Sequence, residues 1–324
     1  MGDGGRGTGI RRRGPGAGDR TATTRGPRRV PVLLAVGETM AMVGPAVAEP
    51  LRTAELFRMD AGGAESNVAA HAAAGGVTAR WFSRLGADPL GDRIIDRLIA
   101  RGVEVSAVVR DPRHPTGLYV KDPGSGVHYY RRGSAASHLD VADAQAVVLD
   151  DVALLHVSGI TAALTGSAPA FLEALIERAR DAGVPVSFDV NHRAALWDAA
   201  TAARPLAALA ARADLVFVGR DEAETLWATE TADEVRAHLP EPGLLVVKDG
   251  DVGATAYDAA GSTFVPAHRV DVVEPVGAGD AFAGGFLAAH LRGADVAAAL
   301  AAGHARAALT LTTTGDYPDE GNRA

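Results

Sequence analysis

The chain has 324 residues and a formal net charge of −8 at neutral pH, with 47% hydrophobic and 22% charged residues. This composition is typical of a globular protein, and the length allows one large domain or two modest ones. The absence of cysteine excludes disulfides, thiolate metal ligands and a cysteine nucleophile. No apolar run approaches the roughly 20 residues that a membrane-spanning helix needs, so we expect a cytoplasmic protein that does not contact a membrane.

The first thirty residues differ in composition from the rest of the chain. They hold nine Gly and eight Arg and few apolar residues, so they cannot bury enough surface to fold. We predict a disordered basic tail over residues 1–30, a folded body over 31–316 and a short tail over 317–324. Because much of the positive charge lies in the tail, the body is acidic, which argues against nucleic-acid binding.

From residue 30 onward, short apolar strands alternate with helices. The first predicted strand is Val32–Val36 and the first predicted helix is Ala64–Ala74. A strand at 80–83 follows, and a helix begins after Asp88, which precedes a proline at the first helical position. Further strands are predicted at 152–158, 184–190, 214–218 and 244–248, and helices at 167–182, 201–212, 220–229, 279–292 and 295–310. This alternation predicts an α/β fold with a mostly parallel sheet that is covered on both faces.

Two stretches interrupt the alternation. Residues 113–133 contain two alternating segments around a Pro-Gly-Ser-Gly turn, which predicts a β-hairpin. Residues 40–58 have no helical pattern and are predicted to be irregular. Ligands of α/β sheets bind at the carboxyl ends of the strands, so we expect these insertions to cover a ligand site.

A glycine turn near the C-terminus predicts an anion site. Gly277, Ala278 and Gly279 precede a helix of small residues, where backbone N–H groups and the helix dipole favour an anion. Asp280 follows in the first helical turn, where its charge would repel a phosphate unless it had another task. That task is to accept the proton of a hydroxyl that attacks a phosphoryl group. A plain helix cap explains the same residues, and both interpretations stay open at this point.

Longer segments resemble a known family. The segment 275–286, PVGAGDAFAGGF, resembles the C-terminal signature of the ribokinase-like, or PfkB, carbohydrate kinases. Residues 62–69 resemble the sugar-binding glycine motif near the N-terminus of that family. The resemblance covers about residues 31–316. It implies a three-layer α/β sandwich with a mostly parallel central sheet and a small β-lid, with ATP as the phosphoryl donor and Mg²⁺ as the cofactor.

The substrate prediction combines this resemblance with charge. Segments 116–119, 129–137, 156–161 and 189–197 look most like the family members that phosphorylate the terminal hydroxyl of 2-keto-3-deoxygluconate. That sugar acid has a carboxylate, which planar guanidinium groups such as Arg131 and Arg193 bind well. The resemblance assigns sugar contacts to Gly63, Ala64, Glu65, Ser66, Asn67, Tyr119, Tyr129, Tyr130, Arg131, Arg193 and Asp280.

The nucleotide prediction rests on the strand that ends at Lys248 and on the glycine turn after it, which resembles the family's loop along the nucleotide. The resemblance assigns nucleotide contacts to Asn191, His192, Arg193, Lys248, Asp249, Gly250, Asp251, Val252, Gly253, Ala254, Gly277, Ala278 and Gly279. The amides of the last three would also stabilise charge during transfer, which makes them catalytic together with Asp280. Where the family has Asn-x-x-Glu this chain has Gly219 and Glu222, so Glu222 alone is carried over as a Mg²⁺ residue that acts through water.

Three functions are compatible with these residues. The leading prediction is an ATP-dependent 2-keto-3-deoxygluconate kinase. Its predicted ligands are the sugar acid and ATP, with no nucleic acid or membrane partner, and the lid is the predicted contact of a homo-oligomer. The second is a fructokinase-like or nucleoside kinase with the same fold, and the third is a non-catalytic sugar sensor, since a fold does not guarantee activity. A dehydrogenase is disfavoured because no GxGxxG follows the first strand. The gluconate and galactonate epimers share the charged end, so the sequence does not separate them.

Overall fold

A computed structural model describes residues 30–47, 49–164, 166–313 and 315–317, together with residues 1, 2, 4, 5 and 7. The chain divides into two units, Met1–Val30 and Pro31–Ala324. All helices and strands of the described residues lie in the second unit. The predictions of a tail over residues 1–30 and of a tail over residues 317–324 fall almost entirely outside the described residues. None of the helices in the described part of the chain is long and apolar enough to cross a membrane.

Fifteen strands and ten α-helices occur in the described residues. The strands are β1 (Val32–Val36), β2 (Met40–Pro45), β3 (Phe57–Gly62), β4 (Thr78–Phe82), β5 (Arg84–Gly86), β6 (Val103–Glu104), β7 (Val109–Asp111), β8 (Leu118–Asp122), β9 (Gly126–Tyr130), β10 (Val152–Ser158), β11 (Val186–Asp189), β12 (Leu215–Gly219), β13 (Leu244–Asp249), β14 (Gly253–Asp258) and β15 (Gly261–Pro266). The α-helices are α1 (Ala64–Ala74), α2 (Pro89–Ala100), α3 (Val141–Ala146), α4 (Gly159–Ala163), α5 (Ala168–Asp181), α6 (Ala199–Ala210), α7 (Arg220–Trp227), α8 (Ala232–His238), α9 (Ala278–Leu291) and α10 (Val296–Leu311), and a 3-10 helix spans Ala135–His138.

The central sheet confirms the predicted α/β class. Its strand order in the described residues is β15-β14-β13-β12-β11-β10-β1-β4-β6. All pairs from β13 to β6 in this order are parallel, whereas β13–β14 and β14–β15 are antiparallel. The predicted strands and helices are all present, with ends that differ by at most two residues. The antiparallel edge formed by β14 and β15 was not predicted, because glycines and polar residues interrupt its apolar pattern.

The core lies on both faces of the central sheet. Successive residues of a strand point to opposite faces, and β1 shows this directly. Leu34 belongs to the cluster that contains Phe171 of α5 and Leu206 of α6. Leu33 belongs to the opposite cluster with Phe286 of α9. Helices therefore cover both faces, which gives the three-layer sandwich.

A second sheet forms the lid, with the order β3-β2-β8-β9. The hairpin of β8 and β9 confirms the prediction for residues 113–133. The stretch 40–58 was predicted to be irregular, which is wrong in part, because β2 pairs antiparallel with β3 and parallel with β8. The residues of β2, MAMVGP, are nearly all apolar and buried, so they lack the alternation by which a lid strand is recognised in a sequence.

The parallel strands bring their carboxyl ends to one edge of the central sheet. Glu38 follows β1, and the register pairs Ser158 at the end of β10 with Asp189 at the end of β11. In the same way Gly219 at the end of β12 pairs with Lys248 of β13. Polar residues that are far apart in sequence therefore meet along this edge, beneath the lid.

Candidate active site

A cleft lies between the lid and the carboxyl edge of the central sheet. Its lining combines lid residues with residues that follow the central strands and residues at the start of α9. A second cleft is lined by residues such as Arg80, Glu104 and Asp151, and it contains none of the predicted site residues. The first cleft is therefore the candidate site. The predicted residues that line it are Gly63, Ala64, Asn67, Tyr119, Tyr129, Arg131, Arg193, Gly277 and Asp280.

Asp280 lies in the first turn of α9, at the floor of the cleft. Gly277 precedes the helix with φ +86°, a left-handed conformation that favours glycine. The Asp280 side chain accepts a hydrogen bond from Asn67 Nδ2 at 3.0 Å. Burial raises the pKa of Asp280 to about 7, although the Asn67 hydrogen bond acts in the opposite direction. A carboxyl group that titrates near neutral pH is suited to accept and release a proton.

The two arginines reach the cleft from different elements. Arg131 follows lid strand β9, its side chain is 12% exposed, and it forms an ion pair with the buried Glu38. The other carboxylate oxygen of Glu38 accepts a hydrogen bond from Ser134 Oγ at 2.5 Å. Arg193 follows β11, and its side chain is 47% exposed with Nη1 3.9 Å from Glu222 Oε1. Both guanidinium groups thus lie in one cleft with Asp280, but Arg131 already has a counter-charge that the sequence did not reveal.

The lid tyrosines lie on different faces of the lid sheet, because side chains alternate along a strand. Tyr119 is buried over the cleft, and its ring centroid is 6.0 Å from that of Tyr129 across the β8–β9 pair. Tyr130 is 64% exposed and does not line the cleft. Because neighbouring residues of a strand point to opposite faces, Tyr130 cannot share the inner face with Tyr129. Its placement differs from the predicted sugar contact.

Only some residues of the glycine motif at the start of α1 line the cleft. Gly63, Ala64 and Asn67 line the cleft, whereas Glu65 and Ser66 are buried beneath it. The hydroxyl of Ser66 donates to the Gly63 carbonyl at 3.0 Å, which fixes the start of the helix. The structure therefore does not place the Glu65 and Ser66 side chains where a sugar would contact them directly.

A buried ion pair in the cleft was missed by sequence reasoning. Asp316 lines the cleft and accepts hydrogen bonds from Lys121 Nζ at 2.8 Å and from Tyr119 Oη at 3.0 Å. Gly62 leaves the space that the tyrosine hydroxyl occupies, since a Cβ there would overlap it. Lys121 is one of only two lysines in the chain, and that rarity is the signal that could have identified it.

The residues predicted to contact the nucleotide include the partly buried Lys248. Its Nζ donates to Asp189 Oδ2 at 2.8 Å and lies 3.6 Å from where a Cβ of Gly279 would be. Burial would lower the pKa of Lys248, but Asp189 and Glu222 outweigh it and raise that pKa. Burial also raises the pKa of Glu222, whose Oε2 accepts a hydrogen bond from the Gly219 amide at 2.9 Å.

Apart from Arg193 and Gly277, the residues predicted to contact the nucleotide lie outside the cleft lining. Asn191 is buried with φ +41°, a strained conformation of the kind that clusters at functional sites. His192 is held through its Nε2 by the Trp197 carbonyl at 3.1 Å. Asp249 ends β13, the turn after it contains Gly250, Asp251 and Val252, and Gly253 and Ala254 are buried in β14. The Gly277, Ala278 and Gly279 amides lie at the start of α9.

Two buried oxygens suit a metal–nucleotide complex. Among the described residues, Asp189 Oδ1 and Asn191 Oδ1 are buried without a hydrogen-bond partner. The described part of the chain contains no group of three or more His, Asp or Glu side chains that could hold a metal ion without further ligands. Mg²⁺ keeps several waters and usually needs only one or two carboxylates beside substrate phosphates. Asp189 and Glu222 therefore fit such an ion when a nucleotide is bound.

Comparisons with known proteins agree with this geometry. The family model described as pfkB family carbohydrate kinase matches residues 31–321. The 2-dehydro-3-deoxygluconokinase of Bacillus subtilis is 36% identical over 86% of this chain and 89% of the relative. The 2-dehydro-3-deoxygalactonokinase of Haloferax volcanii is 34% identical over 90% of this chain and 95% of the relative. The crystal structure of the 2-dehydro-3-deoxygluconokinase of Thermotoga maritima has a TM-score of 0.81 at 26% identity and covers 89% of this chain and 95% of that one.

Proposed function

The chain belongs to the PfkB family of carbohydrate kinases, and from that premise we propose that it transfers the γ-phosphoryl group of ATP to the terminal hydroxyl of 2-keto-3-deoxygluconate. The products are the 6-phosphate and ADP. The observation that carries the proposal is a single cleft that holds Asp280, Arg131 and Arg193. A sugar acid needs a base at its hydroxyl end and cations at its carboxylate end.

Binding places the substrate between these groups. The substrate carboxylate lies against the guanidinium groups of Arg131 and Arg193, which can bind it bidentately. Asn67 offers both a donor and an acceptor to the sugar hydroxyls. The inner lid face, with Tyr119 and Tyr129, covers the sugar and excludes water. This positioning converts the encounter of two substrates into a step with fixed geometry.

The chemical step needs a proton acceptor and an anion site. Asp280 accepts the proton of the terminal hydroxyl as its oxygen attacks the γ-phosphorus, and the bond from that phosphorus to the bridging oxygen of ADP breaks. The amides of Gly277, Ala278 and Gly279 and the dipole of α9 stabilise the charge on the transferring group. General-base assistance contributes about 10²–10⁴ in rate, so the rest of the acceleration comes from positioning and charge stabilisation.

Lys248 and the turn at 249–252 lie along the phosphates in this proposal. Asp189 and Glu222 would hold Mg²⁺ with water, and a bound Mg²⁺ would supply positive charge to the transferring phosphoryl group. Asn191 and His192 are proposed to face the phosphates as well. The supporting observations are the unpartnered buried oxygens of Asp189 and Asn191 among the described residues.

The assembly and location are proposed on separate grounds. The outer lid face exposes Phe57 at 47% and Tyr130 at 64%, and Tyr130 pairs with Leu118 in the adjacent strand. Exposed apolar side chains on a sheet face favour association, so we propose a homo-oligomer in which two lids pack together. Light scattering of wild type and Tyr130→Asp tests this: the variant should dissociate, and an unchanged mass would contradict it.

We place the enzyme in the cytoplasm, where ATP is supplied.

A substrate panel tests the proposed activity. Coupled ADP release is measured with 2-keto-3-deoxygluconate, its C4 epimer 2-keto-3-deoxygalactonate, fructose and ribose. The two acids should be used with far higher kcat/KM than the two neutral sugars, because only the acids engage both arginines. A preference for fructose or ribose would instead support the fructokinase-like reading, and no ADP release with any sugar would support the sensor.

A further inference from the structure

Glu65 is a buried acid that the proposed mechanism does not use. It lies in the first turn of α1 beneath the cleft and is 0% exposed. Its Oε1 accepts hydrogen bonds from Ser158 Oγ at 2.5 Å and from Thr161 Oγ1 at 3.5 Å. Its Oε2 is buried and has no hydrogen-bond partner among the described residues. The glycine at position 37 leaves room for the carboxyl group, which a Cβ there would overlap.

The surroundings of Glu65 contain charges from three other elements. Asp280 of α9 and Arg131 at the end of β9 both act on it, and Arg131 is paired in turn with Glu38 after β1. The β10–α4 junction contributes only the neutral hydroxyls of Ser158 and Thr161. Burial raises the pKa of Glu65 to about 7, and Asp280 adds to that rise while Ser158 and Arg131 oppose it.

The charges of the cleft are nearly all paired already. Arg131 is neutralised by Glu38, and Lys121 is neutralised by Asp316. Among the described residues that line the cleft, Arg193 is the other cation, and it is half exposed with Nη1 3.9 Å from Glu222 Oε1. An anionic substrate therefore brings one more negative charge into a site that has little positive charge to spare.

Glu65 and Asp280 form no ion pair among the described residues, and one of these two acids must then stay neutral. Asp280 has to be ionised to act as the base, so the neutral one is Glu65. An ionised Glu65 would place a buried negative charge on a carboxylate whose Oε2 has no donor among the described residues, and a buried charge without an ion pair is unfavourable by several kcal/mol. A protonated Glu65 avoids that cost and removes a negative charge from beneath Arg131.

We propose that Glu65 is a specificity-determining residue that takes up a proton from solvent when a sugar acid enters the cleft, so that the affinity for the acid falls as the pH rises. The inference rests on the proposed function, since only an anionic substrate supplies the charge that drives the protonation. Glu65 acts through Arg131, because an ionised Glu65 offsets the guanidinium charge that the substrate carboxylate needs. A neutral sugar binds without this proton.

The test measures binding without nucleotide, in a variant that lacks the second acid. In Asp280→Asn, titration calorimetry with 2-keto-3-deoxygluconate in buffers of different ionisation heat should show uptake of about half a proton near pH 7.5. The Kd should rise by up to about tenfold between about pH 6 and pH 8.5, which corresponds to a coupling of one pKa unit. Adding Glu65→Gln should abolish the uptake and hold the Kd near its low-pH value. Adding Glu177→Gln, on the exposed face of α5, should change neither.

Each outcome decides between the two proposals. Binding of the acid without proton uptake, or with the same pH slope after Glu65→Gln, overturns the assignment to Glu65 and leaves the proposed function intact. Failure of every variant to bind any sugar acid at either pH overturns the proposed function and this inference with it. If Glu65→Gln does not fold, proton uptake in Asp280→Asn alone decides, because its absence there is sufficient to overturn the inference.

Discussion

Replacing Asp280 with Asn should have opposite effects on turnover and on stability. The amide keeps an oxygen that can accept the hydrogen bond from Asn67, which the carboxylate accepts at 3.0 Å, but it cannot accept the substrate proton. Loss of a general base costs about 10²–10⁴ in rate. We therefore expect kcat to fall by that factor with little change in the Kd of ATP.

The stability effect follows from the pKa of Asp280. Burial moves that pKa from 3.8 to about 7, roughly three units, which at about 1.36 kcal/mol per unit corresponds to about 4 kcal/mol. Because the pKa is higher in the folded state, the folded protein binds more protons than the unfolded chain between about pH 4 and pH 7. Its stability therefore falls as the pH rises through that window. The variant has no such decline, and above pH 7 it should unfold at a Tm higher by up to about 10 °C.

The assays are a coupled ADP-release assay and thermal unfolding followed by circular dichroism at about pH 5 and pH 8.5. Wild-type kcat at saturating substrate should rise with pH through about 7, since the ionised carboxylate is the active form. A variant that keeps turnover within tenfold of wild type would refute the role as base. Equal Tm differences between variant and wild type at the two pH values would refute the argument from burial.

Three further predictions concern the network around the cleft. Lys121→Met leaves Asp316 buried without its cation, and urea unfolding should show a loss of about 3–5 kcal/mol; a loss below 1 kcal/mol would show that water replaces the lysine. Gly277→Ala forces a left-handed conformation on a residue with a side chain and should cost about 1–2 kcal/mol and lower kcat, whereas unchanged kcat would remove the turn from the mechanism. Lys248→Met should raise the KM for ATP at least about tenfold and leave the Kd of the sugar acid unchanged; the reverse pattern would place Lys248 on the sugar side.

The sequence predicted the layers of the fold because apolar strands and capped helices are local signals. The helix that begins after Asp88 is an example, since its side chain accepts the Gly91 amide at 2.8 Å. Strand β2 escaped prediction because a buried lid strand has no alternation, and β14 and β15 escaped because their pattern is interrupted. Which strands pair depends on contacts distant in sequence, so the resemblance supplied the topology that local patterns do not contain.

The parts of the site that were predicted correctly are those whose residues lie close together in the sequence. Gly277 and Asp280 are adjacent in sequence, so their arrangement could be inferred from the residues alone. The pairing of Arg131 with Glu38 and of Lys121 with Asp316 joins residues separated by 93 and 195 positions. The direction of a side chain was the other weak point: Tyr130 follows Tyr129 directly and yet lies on the outer lid face, and Glu65 points beneath the cleft.

The central claim is that two guanidinium groups select an acid substrate for phosphorylation. The most direct measurement is the ratio of kcat/KM for 2-keto-3-deoxygluconate to kcat/KM for fructose, in wild type, Arg131→Ala, Arg193→Ala and the exposed control Arg204→Ala. Replacing either arginine with alanine should lower the ratio by about 10- to 100-fold, and the loss should be larger for the more buried Arg131. The control variant should keep the wild-type ratio. A ratio that neither arginine variant changes, or a wild-type ratio below one, would contradict the account.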